Sequence, residues 1–504
     1  MSSGGQAHGR RRAPGAGEAI IAWTGGLLSL GATLALGCSQ GGWTVDGFRI
    51  DLPPTGASPA GGLLARRSAD PTAASPYLAI DTGSPLTFVR GQADGSAHMT
   101  RRSFDLFGDR MAEGRFPRRA SFWDIAALGV DLDPAGPDIV LGADVLRNFS
   151  MFVDFGAPAL TLWSGQRAPE SFLGAAQCGG SASAPSCLAV LSFDLIGGGE
   201  LDAVSEPDFL GLTGPVEFAG TRLLVRACAA PAPAAPVTDT ELQPTCCTRA
   251  AAAVLSPTTP PELAGYAPTG ADLALVVTTG LGPTVLAQSA WNEIVASWTK
   301  IPGAPPLPVP APGPPLSFPA LPAPLTGVTW VEVPRLALVN METDASTNPG
   351  ACVELARSRR LEWIERRRFE GQRQCTQLCD TDVRESTKAQ NAAAYLERGG
   401  GVTIAIIPDA TPVLQAVRAE LRQQGPQVDG FLGTDVLAPT TMEIDYKASP
   451  ARMVFSCAPG IDRATCLASP RCARQASPGD VHSCFGLPPL ALPDPKTCEP
   501  LGCS

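Results

Sequence analysis

The chain has 504 residues, 44% apolar and 17% charged, which suits about three domains or two large lobes and rules out wholesale disorder. Gly (53) and Pro (50) make it loop-rich without the bias of a low-complexity chain. A formal net charge of −10 excludes a general nucleic-acid binder, since phosphate binding needs a positive field. Three scattered histidines, His8, His98 and His482, offer no His-based zinc site, and neither a metal nor a cofactor is expected.

Residues 1–37 read as a signal peptide. Arg10, Arg11 and Arg12 form a positive start, an apolar stretch follows from Ala19, and Leu34-Ala-Leu-Gly37 leads into Cys38. Cys38 is similar to the lipidated cysteine of bacterial lipoproteins, although Ala35 stands where those usually carry Leu. The alternative is an uncleaved signal anchor, because the apolar stretch nearly reaches the ~20 residues that span a bilayer. Either way the rest of the chain is expected to be exported, facing the periplasm or sitting in the outer membrane of a bacterial envelope. Fifteen cysteines agree with that: setting Cys38 aside leaves fourteen, all after residue 177, an even set expected to be mostly disulfide-bonded. Their pairing is not readable from spacing.

Internal self-similarity organises the middle of the chain. Asp138-Ile-Val-Leu-Gly142-Ala-Asp144-Val-Leu146 is echoed by Asp429-Gly-Phe-Leu-Gly433-Thr-Asp435-Val-Leu437, and the offset of 291 continues from Met151 to Met442 and from Phe155 to Tyr446. Upstream, Leu78-Ala-Ile-Asp81-Thr82-Gly83-Ser84 is echoed by Leu275-Val-Val-Thr278-Thr279-Gly280-Leu281. Two β-rich lobes follow, over 38–170 and 171–456, with a Cys-rich tail over 457–504. The second lobe is swollen. Its proline run, 302–327, predicts a semi-rigid surface loop in polyproline II. Residues 352–400 predict a helical insert, 402–408 a strand and 411–424 an amphipathic helix.

The segment Leu78-Ala-Ile-Asp81-Thr-Gly-Ser-Pro-Leu-Thr-Phe-Val89, followed by Ile139-Val-Leu-Gly142, resembles the active-site signature of aspartic peptidases. The resemblance implies an all-β protein with helical insertions, of the bilobal pepsin-like fold with two homologous β-barrel-like lobes, and Asp81 as catalytic carboxylate. Thr82, Gly83 and Ser84 would complete its turn, Gly142 and Gly433 would sit in the supporting loops, and Thr82 would reach across to lock the two turns. That family needs a second carboxylate sharing a proton with the first. The equivalent position is Thr278, on a degenerate turn with Thr279 and Gly280. No Tyr lies between Asp81 and Gly142 to cover the substrate, leaving Phe122 or Trp123 as steric stand-ins. Three functions therefore stay open: an aspartic-type endopeptidase acting on peptide or protein substrates, a non-catalytic homologue binding extended peptide, and a structural envelope lipoprotein. The expected state is a monomer on a membrane through its N-terminal lipid, with no nucleic-acid partner.

Overall fold

The computed structural model describes residues 42–43, 46–52, 61–68, 77–91, 98–108, 119–154, 159–163, 187–193, 195–201, 204–205, 216–218, 222–230, 270–301, 304, 306–340, 350–355, 395–398, 402–421, 427–437, 440–446 and 451–457. The signal segment with Cys38, most of the 352–400 insert and the Cys-rich tail beyond 457 lie outside these residues. Among the described residues strands dominate, with a few short helices between them.

Three sheets carry the architecture: an eight-stranded one built mainly from residues before 131, a ten-stranded one from residue 195 onward, and a six-stranded one that joins the two halves. The repeat read from sequence is a repeat in space. In the first half Tyr77–Ile80 runs parallel to Ile139–Leu141, with Ala79 opposite Val140, and Phe88–Arg90 runs antiparallel to it, with Phe88 opposite Val140. In the second, Ala271–Val277 runs parallel to Gly430–Leu432, with Val276 opposite Phe431, and Thr284–Ala287 is antiparallel, with Val285 opposite Phe431. Each residue pair of the first set maps onto its counterpart in the second without a slip. A one-residue slip would turn every side chain to the wrong face, so burial fixes this register. Leu78, Ile80, Val140 and Leu141 are buried, as are Leu275, Val276, Val277 and Leu432.

The six-stranded sheet closes the two halves on each other. Ser150–Asp154 pairs antiparallel with Thr441–Asp445, Ser150 opposite Asp445 and Phe152 opposite Glu443. Met151, Val153, Met442 and Ile444 are buried, and so are Thr441 and Glu443, so this central pair is covered on both faces along most of its length. Ala159–Trp163 and Ala451–Cys457 flank this central pair.

Several expectations change. Tyr395–Arg398, inside the segment read as a helical insert, is a strand antiparallel to Arg335–Val339; its neighbours there are mostly apolar and buried, and the pairing satisfies one edge of its backbone. The proline run is not a surface loop throughout, since Leu316 and Phe318 are buried in the main core. Val204–Ser205, in the span read as the second lobe, adds in parallel to His98–Phe107 at the edge of the first sheet. The expected strand at 402–408 is Val402–Ile407, and the helix is Pro412–Leu421, which buries Leu414 and Val417 on one face. One disulfide, Cys228–Cys352, is present among the described residues. No described helix is long and apolar enough to cross a membrane.

Candidate active site

The two Thr-Gly turns meet. Tyr77–Ile80 delivers Asp81-Thr82-Gly83-Ser84, and Ala271–Val277 delivers Thr278-Thr279-Gly280. The Thr82 hydroxyl donates to the carbonyl of Val277 at 3.0 Å, and the Thr279 hydroxyl donates to the carbonyl of Ile80 at 2.8 Å. Each hydroxyl oxygen also accepts the other threonine's backbone N–H at 3.2 Å. Both threonines are fully buried, so these bonds have no competition from water.

Asp81 and Thr278 stand opposite each other inside this lock. The Thr278 hydroxyl donates to Asp81 Oδ1 at 2.6 Å. The same oxygen accepts the N–H of Gly83 at 2.8 Å and of Gly280 at 3.2 Å, while Oδ2 accepts the Ser84 hydroxyl at 2.6 Å. Four donors thus converge on one carboxylate, all of them within the two turns. The glycines are sterically obligatory. A Cβ on Gly83 would lie 2.6 Å from Thr278 Cβ, and one on Gly280 would lie 2.6 Å from Asp81 Cγ.

The supporting loops have the same build in both halves. A Cβ on Gly142 would lie 2.1 Å from the Leu86 carbonyl oxygen, and one on Gly433 would lie 2.3 Å from that of Pro283. Beside them the Thr87 hydroxyl donates to Asp144 at 2.9 Å and accepts the N–H of Gly142 at 3.2 Å. Thr284 repeats this with Asp435 at 2.8 Å and Gly433 at 3.3 Å. Burial lifts the Asp144 carboxyl to about 6 against the bonds from Thr87 and Val145. Asp429 is also lifted to about 6 by burial, opposed by the N–H of Ala274.

Residues that carried no role in the sequence reading complete the site. Arg222 is buried, pairs bidentately with Glu420 at 2.7 and 2.9 Å, and donates through Nη1 to the carbonyl of Gly83. Tyr446 has a buried hydroxyl with no hydrogen-bond partner among the described residues, and burial together with the charge of Asp81 pushes its phenol upward. Thr87, Thr284, Asp144 and Asp435 were available in the repeat, since they recur at its offsets; nothing local marked Arg222 or Glu420. Of the two aromatic stand-ins of the first half, Phe122 belongs to the core. It is buried among Phe104 and Phe149, and Trp123 is exposed. No cluster of metal-ligating side chains occurs among the described residues. A scan against protein families, a search of curated proteins and a search of solved structures each found no match.

Proposed function

We propose that the chain is an aspartic-peptidase-like protein of the pepsin-like bilobal fold, with two homologous β-barrel-like lobes, and that it binds extended peptide between them without hydrolysing it. The repeat in identical register, the threonine lock and the glycines that permit close approach of the turns support the fold. An extended peptide in such a cleft would add in the manner of a further strand.

One hydrogen bond carries the non-catalytic reading: the Thr278 hydroxyl donates to Asp81. Two-carboxylate hydrolysis needs one group to take a proton from water while the other gives one to the scissile carbonyl oxygen. A hydroxyl already directed at Asp81 has no dissociable proton to exchange near neutrality. Asp81 is left as the acceptor at the centre of a rigid turn.

The test is incubation of the purified chain with denatured proteins at pH 4, with products read by mass spectrometry and binding of labelled extended peptides read by anisotropy. Binding without cleavage is the expected result. Efficient cleavage by the wild type, abolished in Asp81→Asn, would overturn the reading and make this an aspartic-type endopeptidase.

We propose further that the chain is exported and held on a bacterial envelope as a monomer through lipid on Cys38. The Cys228–Cys352 disulfide suits an oxidising compartment.

A further inference from the structure

The proline run is a built element whose tip lies at the two turns. Its arms are pinned: Ala311–Pro312 pairs with Trp330 and Thr329, the Trp330 indole N–H donates to the Pro314 carbonyl at 3.2 Å, and Gly313 lies against the indole ring. Leu316 and Leu325 then exchange backbone bonds of 3.0 and 2.8 Å, closing residues 316–325 into a loop. The N–H of Leu321 turns back to the carbonyl of Phe318 at 3.1 Å.

This loop spans the two halves. Phe318 is buried and packs edge-on against Phe431, centroids 5.6 Å apart, on the strand beneath the second turn. Pro319 follows it over Gly280: a Cβ placed on that glycine would lie 2.8 Å from Pro319 Cγ and 2.6 Å from Asp81 Cγ. Beyond the tip, the Leu321 carbonyl accepts the N–H of Asp133, in the first half, at 3.0 Å. An apolar ring therefore sits beside Asp81 where an external ligand would have to enter. The amide joining Phe318 to Pro319 is tertiary and has no N–H to offer. Gly327 gives the loop a pivot, with φ +73 and nothing within 4 Å of the place a Cβ would occupy.

We propose that residues 316–325 are an internal ligand, a strap that fills the groove beside Asp81 and Thr278, and that the groove recognises an aromatic residue followed by proline. Phe318 supplies the aromatic side chain and Pro319 the ring over Gly280. External peptide of that class binds when the strap lifts. The inference rests on the peptide-binding reading above and adds both the ligand class and its competitor.

The experiment uses the full chain, a fluorescent peptide of residues 314–325, the same peptide with Ala for its Phe, and a mixture of unrelated extended peptides. Phe318→Ala loosens the strap in the protein, and Asp133→Cys with Leu321→Cys fastens it when oxidised. If the strap is closed nine-tenths of the time or more, loosening it raises affinity for the strap peptide roughly tenfold or more, and fastening removes binding. The Ala peptide should fail in every protein. Circular dichroism melts establish that each variant is folded. Equal affinity of wild type and loosened protein for the strap peptide would overturn the proposal. Binding of the unrelated peptides alone, unaffected by fastening, would overturn it while leaving the peptide-binding reading intact. Failure of the folded, loosened protein to bind any peptide would overturn both.

Discussion

Arg222 holds in the second half the place that Gly62 holds in the first. Leu64 pairs with Ala79, and Leu224 pairs with Val276, so counting back two residues along equivalent strands reaches Gly62 and Arg222. A Cβ on Gly62 would lie 2.0 Å from the Gly280 carbonyl oxygen, whereas Arg222 extends a guanidinium to the carbonyl of Gly83. The same position therefore accommodates one turn by omitting a side chain and secures the other with a charge. Glu420, on the helix Pro412–Leu421, neutralises that charge.

Removing Arg222 should cost more than the pair contributes. Its side chain is 7% exposed and that of Glu420 13%, so Arg222→Met strands a buried carboxylate at a cost of about 3–5 kcal/mol. The double variant Arg222→Met, Glu420→Leu should recover most of this. Urea unfolding of the four members of the cycle measures both effects.

The threonine lock should be equally sensitive from either side. Thr82→Val leaves the Val277 carbonyl and the Thr279 N–H without their partner, and Thr279→Val does the same to Ile80 and Thr82. At roughly 1–3 kcal/mol for each stranded buried group, each variant should lose about 2–6 kcal/mol. The double variant should lose less than the sum, because both act on one ring of bonds. Denaturant titration gives the three values.

Thr278→Asp should create acid-dependent peptide cleavage. It sets a second carboxylate where a hydroxyl oxygen now lies 2.6 Å from Asp81, and two carboxylates so close share a proton. Cleavage of denatured protein should appear near pH 4, fade toward neutrality and be blocked by a transition-state-like inhibitor of aspartic peptidases. A folded variant that stays inert across this range would place the missing chemistry elsewhere. If Pro319 still covers the turn, combining the change with Phe318→Ala should raise the rate.

Stability should fall as pH rises through about 6. The Asp144 and Asp429 carboxyls stand at about 6 in the folded chain against 3.8 as the ordinary value, so the folded state holds more protons between these limits. Their contribution is complete below 3.8 and lost as pH climbs past 6. Asp144→Asn keeps an oxygen to accept the Thr87 hydroxyl and removes one titration. Its melting temperature should therefore decline less than that of the wild type between pH 4 and pH 7, as calorimetry would record.

Cys38 should carry the lipid. Metabolic labelling with a fatty-acid analogue should mark the wild type and not Cys38→Ser, which should also leave the membrane fraction. Equal labelling of both would remove the lipoprotein reading and leave the signal anchor.

Local sequence revealed the turns because their constraints are local. Asp81-Thr-Gly and Thr278-Thr-Gly need a glycine where the opposing side chain intrudes, and the flanking apolar runs need burial on both faces. The repeat offsets likewise disclosed Gly142 and Gly433, whose carbonyl neighbours Leu86 and Pro283 follow the Asp81 and Thr278 turns. Arg222 and Glu420 were hidden because 198 residues separate them and neither has a distinctive neighbour. The strap was misread for another reason. Proline composition reports what a backbone can do, extended and without donors, but the burial of Phe318 depends on Phe431, which only folding brings near. Phe122 was misassigned because period two fixes which side of a strand a residue takes, and that side proved to be the core.

The pairing of Ser150–Asp154 with Thr441–Asp445 has an arithmetic of its own. Phe152 lies opposite Glu443, its counterpart at the repeat offset, so the two strands cross as identical subunits cross at a twofold axis. The contact is that of a homodimer, held within one polypeptide. Two separate copies of a single half would have to present the same residue at both turns, whether a pair of acids or a pair of alcohols. Fusion lifts that restriction: one turn retains Asp81 while its mirror position takes Thr278, and the axis survives the loss of equivalence between the residues it relates.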